Sequence, residues 1–262
     1  MHFKLSHFKM MQKKVITMFI LCALLLFSAD CRAQYKNEIS IQAGVMQFKE
    51  KFNQGVMYNG PQIGFLHQRN WFFDKWELRY KPQISLGYVV NRGDMDGAGF
   101  QFAPIDFSGL TPVYQDEKHK VSVGMNVAAD YNFQVYADQH DSHLFWYGET
   151  GISPCFEYVY RWKQRKIKLF LQNSLAGFVS HTEEISHYFY PYSVKFADFF
   201  KAPYHGMKFG SFDKYEHLNA SIEYVPDISK KHAAALGMEY MDCYYNHRFQ
   251  SLNYYLQWKI SF

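Results

Sequence analysis

A chain of 262 residues with a formal net charge of +4 and no dense Lys/Arg block is not built to grip nucleic acid. Four cysteines are too few for a fold held by disulfides. Aromatic residues make up 19% of the chain, with 25 Phe and 21 Tyr, a share that suits a protein with broad contact to membrane interfaces better than a water-soluble domain.

The first element is a targeting segment. Lys4, Lys9, Lys13 and Lys14 give a basic start, and residues 15–27, VITMFILCALLLF, give an apolar stretch. That stretch is too short for a membrane span, which needs about 20 residues. It fits a signal peptide cleaved after Ala33. Asp30 precedes Cys31, where a lipoprotein signal wants a small neutral residue. The expected organisation is therefore a signal peptide over 1–33 and one domain over 34–262. No later stretch approaches 18 consecutive apolar residues.

From there the chain reads as strands with period-2 alternation. The first predicted strand is 38–48, with Ile39, Ile41, Ala43 and Val45 in one phase. The second is 61–71. The third, 76–90, alternates most cleanly: Trp76, Leu78, Tyr80, Ile84, Leu86 and Tyr88 share one face, and Glu77, Arg79, Lys81 and Ser85 the other. The fourth covers 100–114. The fifth, 120–136, sets Val121, Val123, Met125, Val127, Ala129, Tyr131, Phe133 and Val135 in phase. The sixth, 146–162, aligns Ile152, Phe156, Tyr158, Tyr160 and Trp162. The rest cover 167–179, 217–226, 233–245 and the closing segment 253–262. In that segment Tyr254, Leu256, Trp258, Ile260 and Phe262 fall together.

Pro82, Pro104, Pro112, Pro154 and Pro226 lie inside these strands. Each implies a bulge or a lost ladder bond, because proline cannot donate. Connections alternate between short charged turns and longer loops, the second kind at 49–60, 91–99, 137–145, 181–216 and 246–250.

The pattern predicts an all-β fold, an antiparallel transmembrane β-barrel of about 10 strands. The apolar phase would face lipid and the polar phase the lumen. A soluble β-sandwich is the alternative architecture. The signal segment, the alternating strands and the terminal YLQWKISF resemble outer-membrane β-barrel proteins of Gram-negative bacteria. The Arg32-Ala33-Gln34 junction and the Tyr/Phe usage resemble the Bacteroidota style. The resemblance implies location in the cell outer membrane. It also implies contact with outer-membrane lipid, and insertion by the barrel-assembly machinery through the terminal aromatic strand.

Three groups of residues could carry function. Glu77, Arg79, Lys81, Asp130, Glu157, Arg161, Lys168, Glu223, Glu239 and Lys259 share the inward phase. Mixed signs at that density read as an ion-paired filling of a narrow barrel, with a small selective pore as the alternative. Cys155 and Cys243 share the phase at different heights, which opposes a disulfide.

The second group is on the long-loop rim: Asp94 and Asp96, then Asp138, His140, Asp141 and His143. Asp138, His140, Asp141 and His143 could ligate a metal; Asp94, Asp96, Asp138 and His140 could position a catalytic water; all could equally be solvated loop residues. A ten-stranded barrel with rim aspartates and an Asp-x-His pair resembles the omptin proteases. That resemblance implies Asp94 and Asp96 as one half of a site and the Asp-x-His pair as the other. Omptins carry the pair after the seventh strand; here it follows the fifth.

The third group is the aromatic loop 181–216, with Tyr188, Phe189, Tyr190, Phe196, Phe199 and Phe200. So many rings favour a packed lid, or a surface for a glycan or an envelope-protein partner. No cofactor motif is present. The reading is a structural, adhesive or ligand-binding barrel, with a rim-site hydrolase of protein or lipid as the rival.

Overall fold

The computed structural model describes residues 34–50, 56–93, 96–136, 143–181, 207–212, 214–227, 231–243 and 248–262. The expected signal segment 1–33 lies outside them. The described residues of the compact unit Tyr35–Phe262 form strands and the turns between them.

Thirteen strands occur among the described residues: β1 Gln34–Glu50, β2 Met57–Phe72, β3 Glu77–Tyr80, β4 Gln83–Val90, β5 Asp96–Gln115, β6 His119–Tyr136, β7 His143–Trp162, β8 Arg165–Asn173, β9 Ala176–His181, β10 Lys208–Ser211, β11 Tyr215–Val225, β12 His232–Cys243 and β13 Phe249–Ser261. They form one antiparallel sheet that closes on itself. β3 and β4 share one stave between β2 and β5, β8 and β9 share another beside β7, and β10 and β11 a third. The result is a closed ten-stranded barrel.

Closure is made by β1 and β13, which pair from Glu38↔Ser261 to Glu50↔Phe249. Asn37 and Phe262 extend the seam with reciprocal backbone bonds of 3.2 and 2.9 Å. Apolar side chains cover the outside: Ile41, Val45, Ile63, Phe65, Leu86, Leu236 and Leu256 are all exposed. Larger rings border this band at the short-turn end, among them Trp76, Trp162, Tyr224 and Trp258. Leu86 is 55% exposed while its neighbour Ser85 is 1% exposed, so the two phases of this stave separate as the alternation predicts.

The prolines sit where the ladder breaks. Pro82 lies between β3 and β4. Pro104 and Pro112 fall at the two register shifts of β5 against β6. Pro154 lies across from the Ser174–Leu175 gap between β8 and β9, where Leu175 N donates to the Ile152 carbonyl at 2.9 Å. Pro226 follows the last residue of β11, so the strand expected over 217–226 ends one residue earlier. A missing N–H is harmless where no ladder bond is required.

Two expectations change. Ala129, Tyr131 and Phe133 occupy the outward phase of β6 but are buried, not lipid-exposed. Cross-strand pairing explains this: Phe102 faces Tyr131, and Phe100, Phe133 and Trp146 form a row over β5, β6 and β7. Adjacent rings at cross-strand spacing cover one another. The loop expected over 181–216 is also shorter, because residues 208–211 form β10 and pair with β9.

The β5–β6 turn is fixed by Asp116. Its carboxylate accepts the His119 and Lys118 backbone N–H groups at 2.6 and 2.8 Å and the Tyr114 hydroxyl at 2.8 Å. Those bonds, the one from His119 first, hold its pKa below the usual carboxylate value. A lowered carboxylate pKa stabilises the turn above the unfolded pKa of about 4 and is lost as pH falls through the folded value. An NMR titration is expected to place the Asp116 midpoint below that of an unstructured aspartate, and Tyr114→Phe to move it back upward.

On the lipid face, Leu86→Arg is expected to destabilise the barrel by about 2–4 kcal/mol near the mid-membrane, whereas Leu86→Ala should cost much less. Urea unfolding in vesicles checks the order.

Candidate functional site

The lumen is the site that the described residues define, and it is filled in layers. At the short-turn end Glu223 takes Lys259 at 2.5 Å and Lys168 at 3.3 Å, while Glu38 takes Lys36 at 2.8 Å. Next, Arg79 bridges Glu77 at 2.6 Å and Glu157 at 2.5 Å, with Lys120 3.8 Å from Glu77. Beside them Lys81 lies 3.5 Å from Asp106. Asn126 donates to Asp106 and Ser108 at 2.5 and 2.9 Å, and Gln172 donates to Asn126 at 3.0 Å. Arg161 shares the phase of Glu157 but is exposed at the end of the β7–β8 hairpin.

Above this lies a buried cluster of three carboxylates around one imidazole. His217 Nδ1 is 2.5 Å from Glu149 Oε1, and its Nε2 is 3.0 Å from Glu239 Oε1. Gln101 Nε2 reaches Asp130 Oδ2 at 2.7 Å and the Glu239 oxygens at 3.1 and 3.0 Å. Asn253 donates to Glu239 at 3.2 Å, and the Tyr147 hydroxyl to Glu149 at 2.9 Å. Each ring nitrogen has a glutamate carboxyl as partner, so one imidazole links two acidic side chains. Asp130, Glu149 and Glu239 come from β6, β7 and β12, and His217 from β11, so the cluster ties four staves across the interior.

The inward phase then changes character. Met46, Phe48, Tyr58, Val89, Tyr136, Phe145, Tyr147, Tyr215, Met241 and Phe249 pack into one buried cluster at the long-loop end. Phe48 stacks on Tyr58 at 5.9 Å between centroids, Tyr58 meets Tyr136 at 4.7 Å, and Tyr147 stacks on Phe249 at 5.0 Å. Met46 reaches over Gly87 and Gly99; a Cβ at Gly99 would meet its sulfur at 2.3 Å. Alternation does not mark this stopper at Phe145, Trp146 and Tyr147, where both phases are apolar. His217 also went unmarked. It sits just past a break in which Ser211 faces Ala176 while Leu218 faces Asn173, and its own N–H is held by Ser174 Oγ at 2.8 Å.

Of the rim residues, Asp96 opens β5 and accepts the Tyr88 hydroxyl at 2.5 Å. His143 opens β7. Asp94, Asp138, His140 and Asp141 lie outside the described residues, as do Tyr188, Phe189, Tyr190, Phe196, Phe199 and Phe200. Among the described residues no group of three or more His, Cys, Asp or Glu side chains is arranged to hold a metal ion. Cys155 and Cys243 are both buried, and neither is in a disulfide.

A closed sheet with an apolar exterior and a polar, ion-paired interior defines the class: this is a transmembrane β-barrel of the outer-membrane type. Several solved structures are similar to it in outline. The translocator domain of the autotransporter NalP from Neisseria meningitidis matches at TM-score 0.41 and 6% identity over 98% of this chain and 96% of that one. An outer-membrane channel from Pseudomonas putida F1 matches at 0.37 and 10%, over 88% and 95%. The attachment invasion locus protein Ail of Yersinia pestis matches at 0.30 and 12%, over 87% and 99%. These are outer-membrane barrels, but likenesses this remote carry no weight beside the closed sheet itself. No protein-family profile and no curated protein matches the chain.

Removing the imidazole would leave Glu149 and Glu239 buried without their shared partner. His217→Ala is expected to destabilise the barrel by roughly 3–5 kcal/mol. Adding Glu149→Gln should recover part of that loss, which urea unfolding followed by the heat-modifiable gel shift would measure.

Proposed function

We propose that this chain is a non-conducting outer-membrane barrel whose role is structural, adhesive or partner-binding, exercised from its long-loop end. The observation that carries the reading is the filled lumen. Ion pairs occupy its lower levels, and the ring cluster of Phe48, Tyr58, Tyr136, Tyr147 and Phe249 occupies the end beneath the long loops. A barrel closed by its own wall residues leaves its loops as the surface with chemical variety. The aromatic segment with Tyr188, Phe189, Tyr190, Phe196, Phe199 and Phe200 then offers rings to a glycan or an envelope protein. The basic, then apolar N-terminal residues support export with cleavage after Ala33, leaving 34–262 as the barrel. The terminal aromatic strand supports delivery by the barrel-assembly machinery. The Arg32-Ala33-Gln34 junction and the ring-rich composition support a Bacteroidota-like origin.

In planar bilayers the purified protein is expected to give no stepwise conductance. Deleting residues 187–206, which leaves β10 in place, should still give a folded, non-conducting barrel, because the stopper is built from strands, and should abolish capture of the partner. Stable channel openings by the intact protein would overturn the non-conducting reading. Peptide or lipid hydrolysis lost in Asp96→Asn and His140→Ala would replace the binding role by a rim hydrolase.

A further inference from the structure

On the outer wall, away from the lumen and the long loops, a column of β2 breaks the apolar phase with two polar side chains. Its outward residues run Ile63, Phe65, His67, Arg69 and Trp71 from the lipid-facing band to the short-turn end. Ile63 and Phe65 are 61% and 53% exposed, as a wall in contact with lipid requires. His67 and Arg69 are half-buried. The facing stave gives them no acid. Ile63 meets Leu86, Phe65 meets Ile84, Arg69 meets Tyr80 and Trp71 meets Leu78. Pro82 lies opposite His67 and accepts only its backbone N–H, at 3.2 Å.

The Arg69 guanidinium lies over the Tyr35 ring at 4.8 Å and the Trp71 ring at 5.2 Å. Tyr35 comes from β1, the neighbouring stave. Tyr80 is already engaged, its ring stacked on Phe107 at 4.6 Å and its hydroxyl on the Pro104 carbonyl at 2.9 Å. Rings attract a cation through their faces, but they leave its in-plane N–H donors unused. Arg69 Nε is buried with no hydrogen-bond acceptor. Among the described residues no carboxylate pairs with Arg69, and the His67 ring has no hydrogen-bond partner. Arg79 in the lumen, by contrast, has both Glu77 and Glu157. Donors at the edge of the hydrocarbon are costly to leave unmatched. With Nε covered, the terminal nitrogens are the edge that a ligand can reach.

We propose that this column binds one anionic glycerophospholipid of the leaflet at the short-turn end, with the phosphate on Arg69 and His67 and an acyl chain along Phe65 and Ile63. The guanidinium edge matches two phosphate oxygens. Imidazole offers an N–H in either tautomer. Their strand positions are about 7 Å apart, a separation that one phosphate group can span. From Arg69 to Ile63 the strand rises roughly 20 Å, more than half of the ~30 Å hydrocarbon core. That continuity with the apolar wall selects a lipid phosphate over a free one. Charge selects the headgroup. Arg69 brings a positive charge that no carboxylate in the column offsets, while Asp74 and Lys75 in the adjoining turn are both exposed and cancel. A headgroup of net negative charge therefore fits better than a zwitterion, whose ammonium would find no acceptor here.

The test places the full chain in nanodiscs of equal parts phosphatidylglycerol, phosphatidylethanolamine and phosphatidylcholine, and reads the lipid retained on the released protein by native mass spectrometry. Phosphatidylglycerol is expected to be retained several-fold over the other two, at about one per chain. Arg69→Gln should abolish that preference, and His67→Phe should weaken it. Lys118→Gln with Lys231→Gln, two exposed cations on other short turns, should leave it intact. These side chains lie on the outer surface, so the heat-modifiable shift should report a folded barrel in each variant. Millimolar inorganic phosphate should not displace the lipid, and dihexanoyl phosphatidylglycerol should compete weakly. Equal retention of the three lipids, or a preference indifferent to Arg69→Gln, would overturn the site. Displacement by inorganic phosphate would assign the donors to a free anion and overturn the lipid reading. A preference unchanged in His67→Phe would overturn the part given to the imidazole, and full competition by the short-chain lipid would overturn the part given to the wall.

Discussion

In hydrocarbon no water is available to satisfy a backbone N–H or C=O, and every other feature of this barrel follows from that. A sheet with a free edge would leave a row of such groups unpaired, so the first strand has to find the last. Here it does so over nearly the whole of β13, from Ser261 to Phe249. The same rule disposes of the prolines. Pro82, Pro104, Pro112 and Pro154 enter the wall only where the ladder is shifted, interrupted or opposite a gap. The wall tolerates a residue that cannot donate by placing it where nothing is asked of it.

Closure creates an inside, and ten staves leave an inside too narrow for a wide water column. Side chains therefore have to meet across it, and their chemistry decides whether the barrel is stable. Arg79 between Glu77 and Glu157, or Lys259 with Lys168 on Glu223, are charges whose desolvation is offset only while every partner stays. His217 makes the same argument more sharply, since one ring is shared by two glutamates, Glu239 on the neighbouring stave and Glu149 two staves away on the other side. Such a network fixes which strands face one another, which an apolar filling could not do with equal selectivity. The rings above it need no such matching and seal the end by packing. A Cβ at Gly237 would meet the Tyr255 ring at 2.2 Å, so even the polar levels leave no slack.

How much of this could be read from residues alone depends on where alternation holds. On 76–90 one face is apolar and the other polar, so the phase and the inward place of Glu77 and Arg79 followed from period alone. On 145–147 both phases are apolar, and alternation alone does not distinguish the rings packed in the lumen, Phe145 and Tyr147, from the one packed on the outer wall, Trp146. The pairing of Trp146 with Phe133 of β6 decides that. The break between β10 and β11 hid His217 for the same reason. Its neighbours Glu149 and Glu239 lie far from it in the chain, and the extra residues at 212–216 that bring it to them carry no periodic signal.

The distribution of chemistry along the barrel axis constrains where it can act. The lipid-facing wall is a continuous apolar band and offers selectivity only through shape, as in the small-residue groove beside Leu236 and Leu256. The interior is committed to its own ion pairs: a ligand entering it would have to replace contacts such as Arg79 with Glu157 and leave one charge buried alone. The two ends are the places where polar groups meet solvent without already being committed to the wall. At one of them Trp162, Lys163 and Arg165 stand at the level of lipid headgroups on a hairpin whose backbone is held rigidly by β7 and β8. A two-residue turn cannot move far to suit a partner, so whatever binds there must fit a surface already formed. The fold thus sets a rigid, lipid-level hairpin apart from an interior already committed to its own ion pairs.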